Sequence, residues 1–243
     1  MKLVAVIPTY NESENIESLV TAVFLELSKL TPDNAVLVVD DNSPDGTAEI
    51  VTALMSRHSN LFLLSGQKAG LGAAYNRALP YAFNEMFADI VITMDADFSH
   101  KPTDIPLLVN TVVGGADLSI GSRYVTGGSI PNNWAWYRKV LSSLGNNLVR
   151  FLFGTSKIHE YTTAFRAFTK NLWEQLPKEK ILFSDNTFLP AFIYEANRLN
   201  FKIVEAPVTF EDRRFGRSKI EIGNYAPNLL KYALTIFWRR IAK

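Results

Sequence analysis

The feature that most constrains this chain is an alternation of short apolar runs with longer segments of helical periodicity. Lys2–Ile7, Ala35–Val39, Leu61–Leu64, Ile90–Met94 and Leu118–Ile120 are nearly continuous apolar stretches. Between them, Ser13–Leu30, Thr47–Met55, Leu71–Phe87 and Thr103–Val113 repeat apolar residues at helical spacing, as in Ile16, Leu19, Val20, Val23, Phe24 and Leu27. Strands that are apolar on both faces must be covered on both, and parallel neighbours need crossover helices. The pattern predicts an α/β fold with a mostly parallel central sheet and helices on both faces. Ser13 is the expected N-cap of the first helix, with Glu14 and Glu17 in its first turn, and Thr47 the cap of the second.

The second half is less regular. Trp134–Phe153 reads as an amphipathic helix or helix pair, Ala164–Phe168 and Ile203–Pro207 as strands, and Asn186–Leu199 as a helix with Pro190 in its first turn. Pro227–Ile241 is a last, amphipathic helix, a C-terminal elaboration on the sheet. No repeat and no flexible linker interrupts the chain, so residues 1–243 are expected to form a single domain.

Composition excludes several chemistries. There is no cysteine, hence no disulfide, thiolate metal site or cysteine nucleophile. The imidazoles are His58, His100 and His159, too scattered for a multi-histidine zinc site. The apolar start MKLVAVIP is too short for a secretory signal, and no run approaches the ~18 apolar residues of a membrane span. The formal charge of +1 hides an asymmetry: residues 1–120 carry 6 Lys/Arg and 15 Asp/Glu, residues 121–243 carry 19 and 9. An acidic half can supply metal ligands, and a basic half can receive anions. Basic residues interleaved with aromatics in a recognised motif are absent, so no nucleic-acid partner is expected.

In an open parallel sheet, ligands bind beyond the carboxyl ends of the strands. The unusual residues cluster there. Asp95 and Asp97, in "ITMDADFSHKP", follow the fourth strand. Two carboxylates past a strand end are hard oxygen ligands suited to Mg²⁺ or Mn²⁺, which keep waters and bind substrate phosphates. Asp40 and Asp41 close the second strand in "VVDDNSPDGTAE", where a carboxylate can accept from a nucleobase N–H or a ribose hydroxyl. In "PTYNE", which starts at Pro8, Tyr10 could stack on a base and Glu12 accept from ribose. "KAGLGAAYNRA" carries glycines into a helix, as a phosphate-cradling loop does, without the G-K-[ST] ending of a Walker loop. Arg123, Arg138 and Arg166, with Arg213, Arg214, Arg217 and Lys219 in "FEDRRFGRSK", offer guanidinium forks and an ammonium to phosphate oxygens.

Taken together, "VIPTYNE", "VVDDNSPDGTAE", "MDADFSHKP", "GSRYVTGGS" and "EAPVTFEDRRFGRSK" resemble the polyprenol (dolichol) phosphate mannosyltransferases of glycosyltransferase family 2. The likeness runs, with gaps, from about Val6 to Lys219. It implies a GT-A type fold and a metal-dependent hexosyltransferase. That enzyme would move a sugar, mannose from GDP-mannose, with inversion to a polyprenyl or dolichyl phosphate. It implies that Pro8, Tyr10 and Glu12, with Asp40 and its neighbour Asp41, hold the nucleoside and that Asp95 and Asp97 hold Mg²⁺ or Mn²⁺. Arg123, Arg138, Arg166, Arg213 and Lys219 would face the phosphates of donor or acceptor, Arg123 beside the reacting groups. Residues 1–120 then form the nucleotide and metal half and 121–243 the acceptor half. A related family member using UDP-glucose or another sugar nucleotide, or a saccharide acceptor, is the alternative reading. A non-catalytic nucleotide-sugar-binding subunit is a third.

Three positions depart from the family pattern. Ser99 stands where a glutamine is frequent. Glu160-Tyr161-Thr162-Thr163 replaces an Asp-x-Thr/Ser-Gly sequence before Phe165-Arg166. Leu189 and Ala191 stand where polar residues are common in the following helix. Pro227–Ile241 sets Leu229, Leu230, Leu234, Phe237, Trp238 and Ile241 beside Lys231, Arg239 and Arg240, the pattern of a helix lying in a membrane interface. The expectation is peripheral association at the cytoplasmic face of a membrane, with room for a membrane-anchoring subunit.

Overall fold

The computed structural model describes residues 1–131, 136–155, 157–212, 214 and 222–241. The described strands are β1 (Leu3–Thr9), β2 (Asn34–Asp40), β3 (Leu61–Ser65), β4 (Ile90–Thr93), β5 (Leu118–Ser122), β6 (Arg166–Thr169) and β7 (Ile203–Pro207). They form one sheet in the order β3-β2-β1-β4-β6-β5-β7. All pairings are parallel except those of β6, which runs antiparallel between β4 and β5. The helices are α1 (Ile16–Ser28), α2 (Thr47–Met55), α3 (Leu71–Pro80), α4 (Ile105–Val113), α5 (Trp136–Phe153), α6 (Lys170–Gln175), α7 (Lys178–Ile181), α8 (Phe188–Arg198) and α9 (Ile222–Ile241).

Successive strand residues alternate between two cores, as a period of two requires. Val4, Val6, Leu37 and Val39 join the core that holds side chains of α3, α5, α8 and α9. Leu3, Ala5, Ile7, Val36 and Val38 join the core of α1, α2 and α4. Helices therefore cover both faces, as expected from the apolar strands. Pro8 costs the sheet nothing. Its position faces the β4 side, where pairing has already ended at Val6 opposite Thr93.

Several boundaries differ from expectation. The first helix starts at Ile16, with Asn15 rather than Ser13 at its N-cap. Ser13 instead donates its backbone N–H to Asp45 Oδ2. Gly46, at φ 87°, takes the N-cap of α2. Thr47 ties the two loops together: its hydroxyl donates to Asp45 Oδ1 and accepts from the Glu12 N–H. The third helix stops at Pro80, which lacks an N–H, and continues as a π turn over Tyr81–Glu85. The last helix begins at Ile222, five residues before Pro227. Its predicted counterpart Trp134–Phe153 is described from Trp136 onward.

The glycines of "KAGLGAAYNRA" have a different task from cradling phosphate. A Cβ on Gly70 would stand 2.5 Å from the Ser184 carbonyl oxygen, and one on Gly72 2.1 Å from that of Phe183. The Ala73 N–H donates to the Ser184 oxygen at 3.0 Å. The N-terminus of α3 is thus occupied by the backbone of residues 183–185, and the glycines permit that approach. Gly72→Ala must push two backbone segments apart, and we expect a loss of about 3 kcal/mol in urea unfolding. A loss below about 0.5 kcal/mol would mean that the contact is slack.

Candidate active site

The end of β4 builds a closed turn from its own residues. The Asp97 Oδ1 accepts from the Ser99 N–H (3.0 Å) and hydroxyl (2.6 Å). Phe98 between them is held at φ 63°, a conformation uncommon for a bulky residue and frequent at functional sites. The Asp95 N–H donates to His100 Nδ1 at 3.0 Å. That nitrogen is therefore an acceptor, and the ring proton is on Nε2, which faces the Thr163 hydroxyl at 3.3 Å. Burial pushes the His100 imidazole down to about 4, against the pull of Asp97. The ring is neutral near pH 7, and its 3.8 Å separation from the Asp95 carboxylate is not an ion pair. Ser99, at a family departure, thus locks one oxygen of Asp97, while the Asp95 side chain remains 36% exposed.

Beside this turn lies a buried ion pair. Arg123, just after β5, directs Nε at Glu160 Oε2 (2.7 Å) and a terminal nitrogen at Glu160 Oε1 (2.9 Å) and the Thr162 hydroxyl (3.0 Å). Its guanidinium lies 5.0 Å from the centre of the Phe210 ring. Phe210 in turn packs against His100 in a T-shaped arrangement, and the His100 ring also stacks on Phe165. The departures at Glu160 and Thr163 therefore carry the Arg123 pair and the His100 contact. Thr163 is not among the residues with positive φ, so its replacement of a glycine introduces no backbone strain. Backbone bonds from Glu211 to the Ser99 carbonyl and from Arg214 to the Asp97 carbonyl seat the segment after β7 on the same turn.

A second polar cluster is formed by the ends of β1, β2 and β3. Asp40 is fully buried and its oxygens are taken by the Thr9 hydroxyl and by the Ser43 N–H and hydroxyl. This corrects its expected place against the nucleoside: it braces the loop. Glu12 is also buried, with Oε2 accepting from the Asn15 amide. Tyr10 is half-buried, and the Lys68 ammonium sits over its ring at 3.9 Å. Asp41 pairs with Arg77 of α3 at 2.5 Å. Burial pushes the Asp41 carboxyl up, and the Arg77 bond only partly offsets this. Arg77 is a residue that sequence reasoning missed, although it lies inside a stretch singled out for its glycines.

Arg166 also needs correction. It is 2% exposed, with terminal nitrogens donating to the Leu189 and Tyr161 carbonyls. It organises the backbone beneath the site and does not present a fork to solvent. Leu189 and Ala191 are packed in the core. The Arg138 side chain, Arg213, Arg217 and Lys219 lie outside the described residues.

The donor set fits a hard divalent cation. Asp95 and Asp97 offer carboxylate oxygens, and both nitrogens of His100 are already engaged. Among the described residues no group of three or more His, Cys, Asp or Glu side chains could hold a metal. A cation that retains waters and takes ligands from a bound diphosphate suits such a sparse set; a structural, fully protein-coordinated ion does not.

A model of the family described as Glycosyl transferase family 2 matches residues 4–176, which include both strand-end clusters and the Arg123–Glu160 pair. The chain belongs to glycosyl transferase family 2. The polyprenol monophosphomannose synthase of Mycolicibacterium smegmatis is 36% identical over 234 residues, 96% of this chain and 86% of the relative. The undecaprenyl-phosphate mannosyltransferase of Micrococcus luteus is 34% identical over 98% of this chain and 96% of its own length. A dolichol-phosphate mannosyltransferase of Pyrococcus furiosus is 34% identical over 91% of this chain, which spans only 60% of that protein. Among solved structures, glucosyl-3-phosphoglycerate synthase of Mycobacterium tuberculosis, in complex with Mn²⁺, UDP and glucosyl-3-phosphoglycerate, superimposes with a TM-score of 0.67 at 20% identity. It covers 98% of this chain and 80% of its own. The same enzyme with Mg²⁺ and UDP gives 0.69. These likenesses establish the GT-A-like fold. As a family 2 glycosyltransferase, the chain is an enzyme of sugar transfer.

Burial raises the Glu160 carboxyl, but Arg123 and Thr162 outweigh it and hold the group below its ordinary value. A depressed carboxylate adds stability that is present above the unfolded value of about 4.5 and is lost as pH falls through the folded one. Glu160→Gln strands the Arg123 charge and should cost about 3 kcal/mol at pH 7. It should also flatten the fall in urea midpoint below about pH 4.5. Parallel acid profiles of variant and parent would show that the pair is not what titrates.

Proposed function

We propose that this enzyme transfers a mannosyl group from GDP-mannose to a polyprenyl phosphate, with inversion, and depends on Mg²⁺ or Mn²⁺. What carries the reading is near-complete alignment, at 34–36% identity, with two mannosyltransferases named for polyprenyl acceptors. The chemistry suits the residues present. An oxygen of the acceptor phosphate forms the new bond to the sugar carbon while the bond to the leaving GDP breaks. A phosphate monoester has a second pKa of ~6, so this nucleophile needs no general base near pH 7. His100, the imidazole beside the Asp95 and Asp97 carboxylates, is neutral, buried and engaged through both nitrogens.

The task is then to align two anions and offset their charge. Asp95 and Asp97 would hold the metal, which when bound neutralises charge developing on the leaving diphosphate. Ser99 and the left-handed Phe98 fix the Asp97 carboxylate in place. Arg123 supplies a second positive charge, oriented by Glu160 so that its plane cannot turn. With parent enzyme, GDP-mannose and polyprenyl phosphate should give metal-dependent labelled lipid, and Asp97→Ala should lower the rate at least about a hundredfold. Label incorporated from UDP-glucose and not from GDP-mannose would discard the donor assignment. Label appearing only in a saccharide would discard the acceptor.

We also place the enzyme peripherally at a membrane face. Among the described residues no helix is long and apolar enough to cross a bilayer. The packed pair α5 and α9 exposes Leu144, Leu148 and Phe151 on one helix and Leu234, Trp238 and Ile241 on the other. Phe151 is 69% and Trp238 65% exposed, and the side chains recur every three or four residues, so each helix carries a stripe. Exposed Lys231 lies near the α9 stripe, suited to anionic headgroups. Phe151→Glu with Trp238→Glu should abolish sedimentation with anionic vesicles at low salt. Transfer to a short-chain, water-soluble polyprenyl phosphate should stay unchanged. Undiminished vesicle binding would remove α5 and α9 from the membrane contact.

A further inference from the structure

We propose that Glu205 of β7 is a positioning residue for the transfer reaction: it fixes the backbone from which Glu160 orients Arg123. This rests on the role given to Arg123 above and extends it by one layer of the fold.

Glu205 is a carboxylate in an apolar setting. Its strand, β7, forms an edge of the sheet beside β5. Alternation along the strand puts Glu205 on the same face as Ile203, which packs against the core of α5, α8 and α9. The side chain is 7% exposed. A carboxylate so placed is costly unless its oxygens are satisfied. Both are taken: Oε1 accepts the Glu160 N–H and Oε2 the His159 N–H, each at 2.9 Å. The His159 Nδ1 also lies 2.9 Å from Oε2.

Those N–H groups belong to the stretch between α5 and β6, which lies outside any helix or strand there. Asn146 of α5 accepts the next N–H, that of Tyr161, at 2.8 Å. Glu160 itself accepts the one after, from Thr162, at 3.0 Å. Four successive backbone donors are thus bound by side-chain oxygens, two of them by Glu205. Buried backbone donors need such partners, and these partners set the path that the loop takes past Arg123.

Both ends of the Arg123 side chain then depend on one strand pair. β5 and β7 run parallel, with Ile120 opposite Glu205 and Ser122 opposite Pro207. Arg123 is the first residue beyond β5, so that strand carries its backbone. Its guanidinium is gripped along the Nε–Nη2 edge by Glu160, whose own backbone is held from β7. The other terminal nitrogen, Nη1, has no hydrogen-bond partner among the described residues. The grip of Glu160 therefore decides where that nitrogen points. A shift of the Glu160 backbone by roughly 1 Å would carry the fork with it, and misplacement on that scale costs about a hundredfold in rate.

The chemistry of the acceptor suggests the variant. A carboxylate accepts on both oxygens, whereas an amide accepts on one and donates from the other side. Glu205→Gln keeps shape and volume but sets an amide N–H against one backbone N–H.

The test is a double-mutant cycle in the full chain, Glu205→Gln against Arg123→Lys. It is read by transfer from GDP-mannose to polyprenyl phosphate and by ¹⁵N nuclear magnetic resonance. At saturating substrates Glu205→Gln should lower kcat roughly ten- to a hundredfold. In the Arg123→Lys background the same change should cost less than about twofold, because no fork is left to orient. The Arg123 Nε–H signal, assigned by its loss in Arg123→Lys, should exchange slowly with solvent in the parent and at least about tenfold faster in Glu205→Gln. Glu205→Asp keeps the charge but retracts the carboxylate by one methylene, and should reproduce both effects if the glutamine variant does not fold. If the Nε–H exchange is unchanged, or kcat falls equally with and without Arg123, Glu205 only caps the loop and this proposal falls alone. If the parent transfers no mannose while the exchange still quickens in the variant, the substrate reading falls and the positioning role stands.

Discussion

The neutral imidazole of His100 is the contact on which the arrangement of the site depends. It accepts the N–H of Asp95, faces the Thr163 hydroxyl, stacks on Phe165 and packs T-shaped against Phe210. Those partners come from the end of β4, the approach to β6 and the exit from β7. One ring therefore joins the acidic first half of the chain to the basic second half. Neutrality is what permits this. A protonated ring would have no acceptor nitrogen for Asp95 and would place a second buried cation beside Arg123. Burial holds the ring in the form that the turn requires.

The charge asymmetry gains a structural meaning here. Carboxylates of the first half gather past strand ends, where Asp40 braces one loop and Asp97 another. Two cations of the second half, Arg123 just after β5 and Arg166 at the start of β6, are held in place within the fold. Arg123 is fixed by Glu160, and Arg166 by two carbonyls. A buried ion pair is weak support for stability, because desolvation consumes much of its Coulombic gain. Its value at this site is geometric: Glu160 holds the charge away from the Asp95 and Asp97 carboxylates. Arg166 acts one layer deeper, bonding the backbone carbonyls of Tyr161 and Leu189.

Strands β1 to β5 were legible because parallel strands buried on both faces leave a nearly continuous apolar signature, and their ends bore acids that a core would not tolerate. What stayed hidden was nonlocal. The insertion of β6 antiparallel between β4 and β5 depends on pairing across more than seventy residues to β4 and more than forty to β5, which no local pattern encodes. Gly70 and Gly72 looked like a phosphate loop because the backbone that crowds them belongs to residues 183–185. Asp40 and Arg166 were correctly identified as unusual but assigned to ligand, since sequence does not distinguish a polar group satisfied within the fold from one awaiting substrate. His100 stood in the same stretch as Asp95 and Asp97. An isolated imidazole three positions after Asp97, inside the same motif, was the available signal.

The segment 183–185 connects the two ends of the proposed reaction. On one side its backbone seats the N-terminus of α3, and with it the loop of Gly66 to Ala69 beside Asp41 and Arg77. On the other, Asp185 accepts from the Asn228 amide, and Phe183 meets the Tyr232 ring edge-on at 5.0 Å, both partners on α9. The helix that exposes Trp238 is thus braced against the same short piece of backbone that supports the Gly66–Ala69 loop. A transferase acting on a lipid phosphate must hold a soluble donor at a set distance from the plane in which its acceptor lies. Two packed backbone approaches and one hydrogen bond set that distance more rigidly than a flexible linker could, because neither glycine contact can lengthen without losing the Ala73–Ser184 bond.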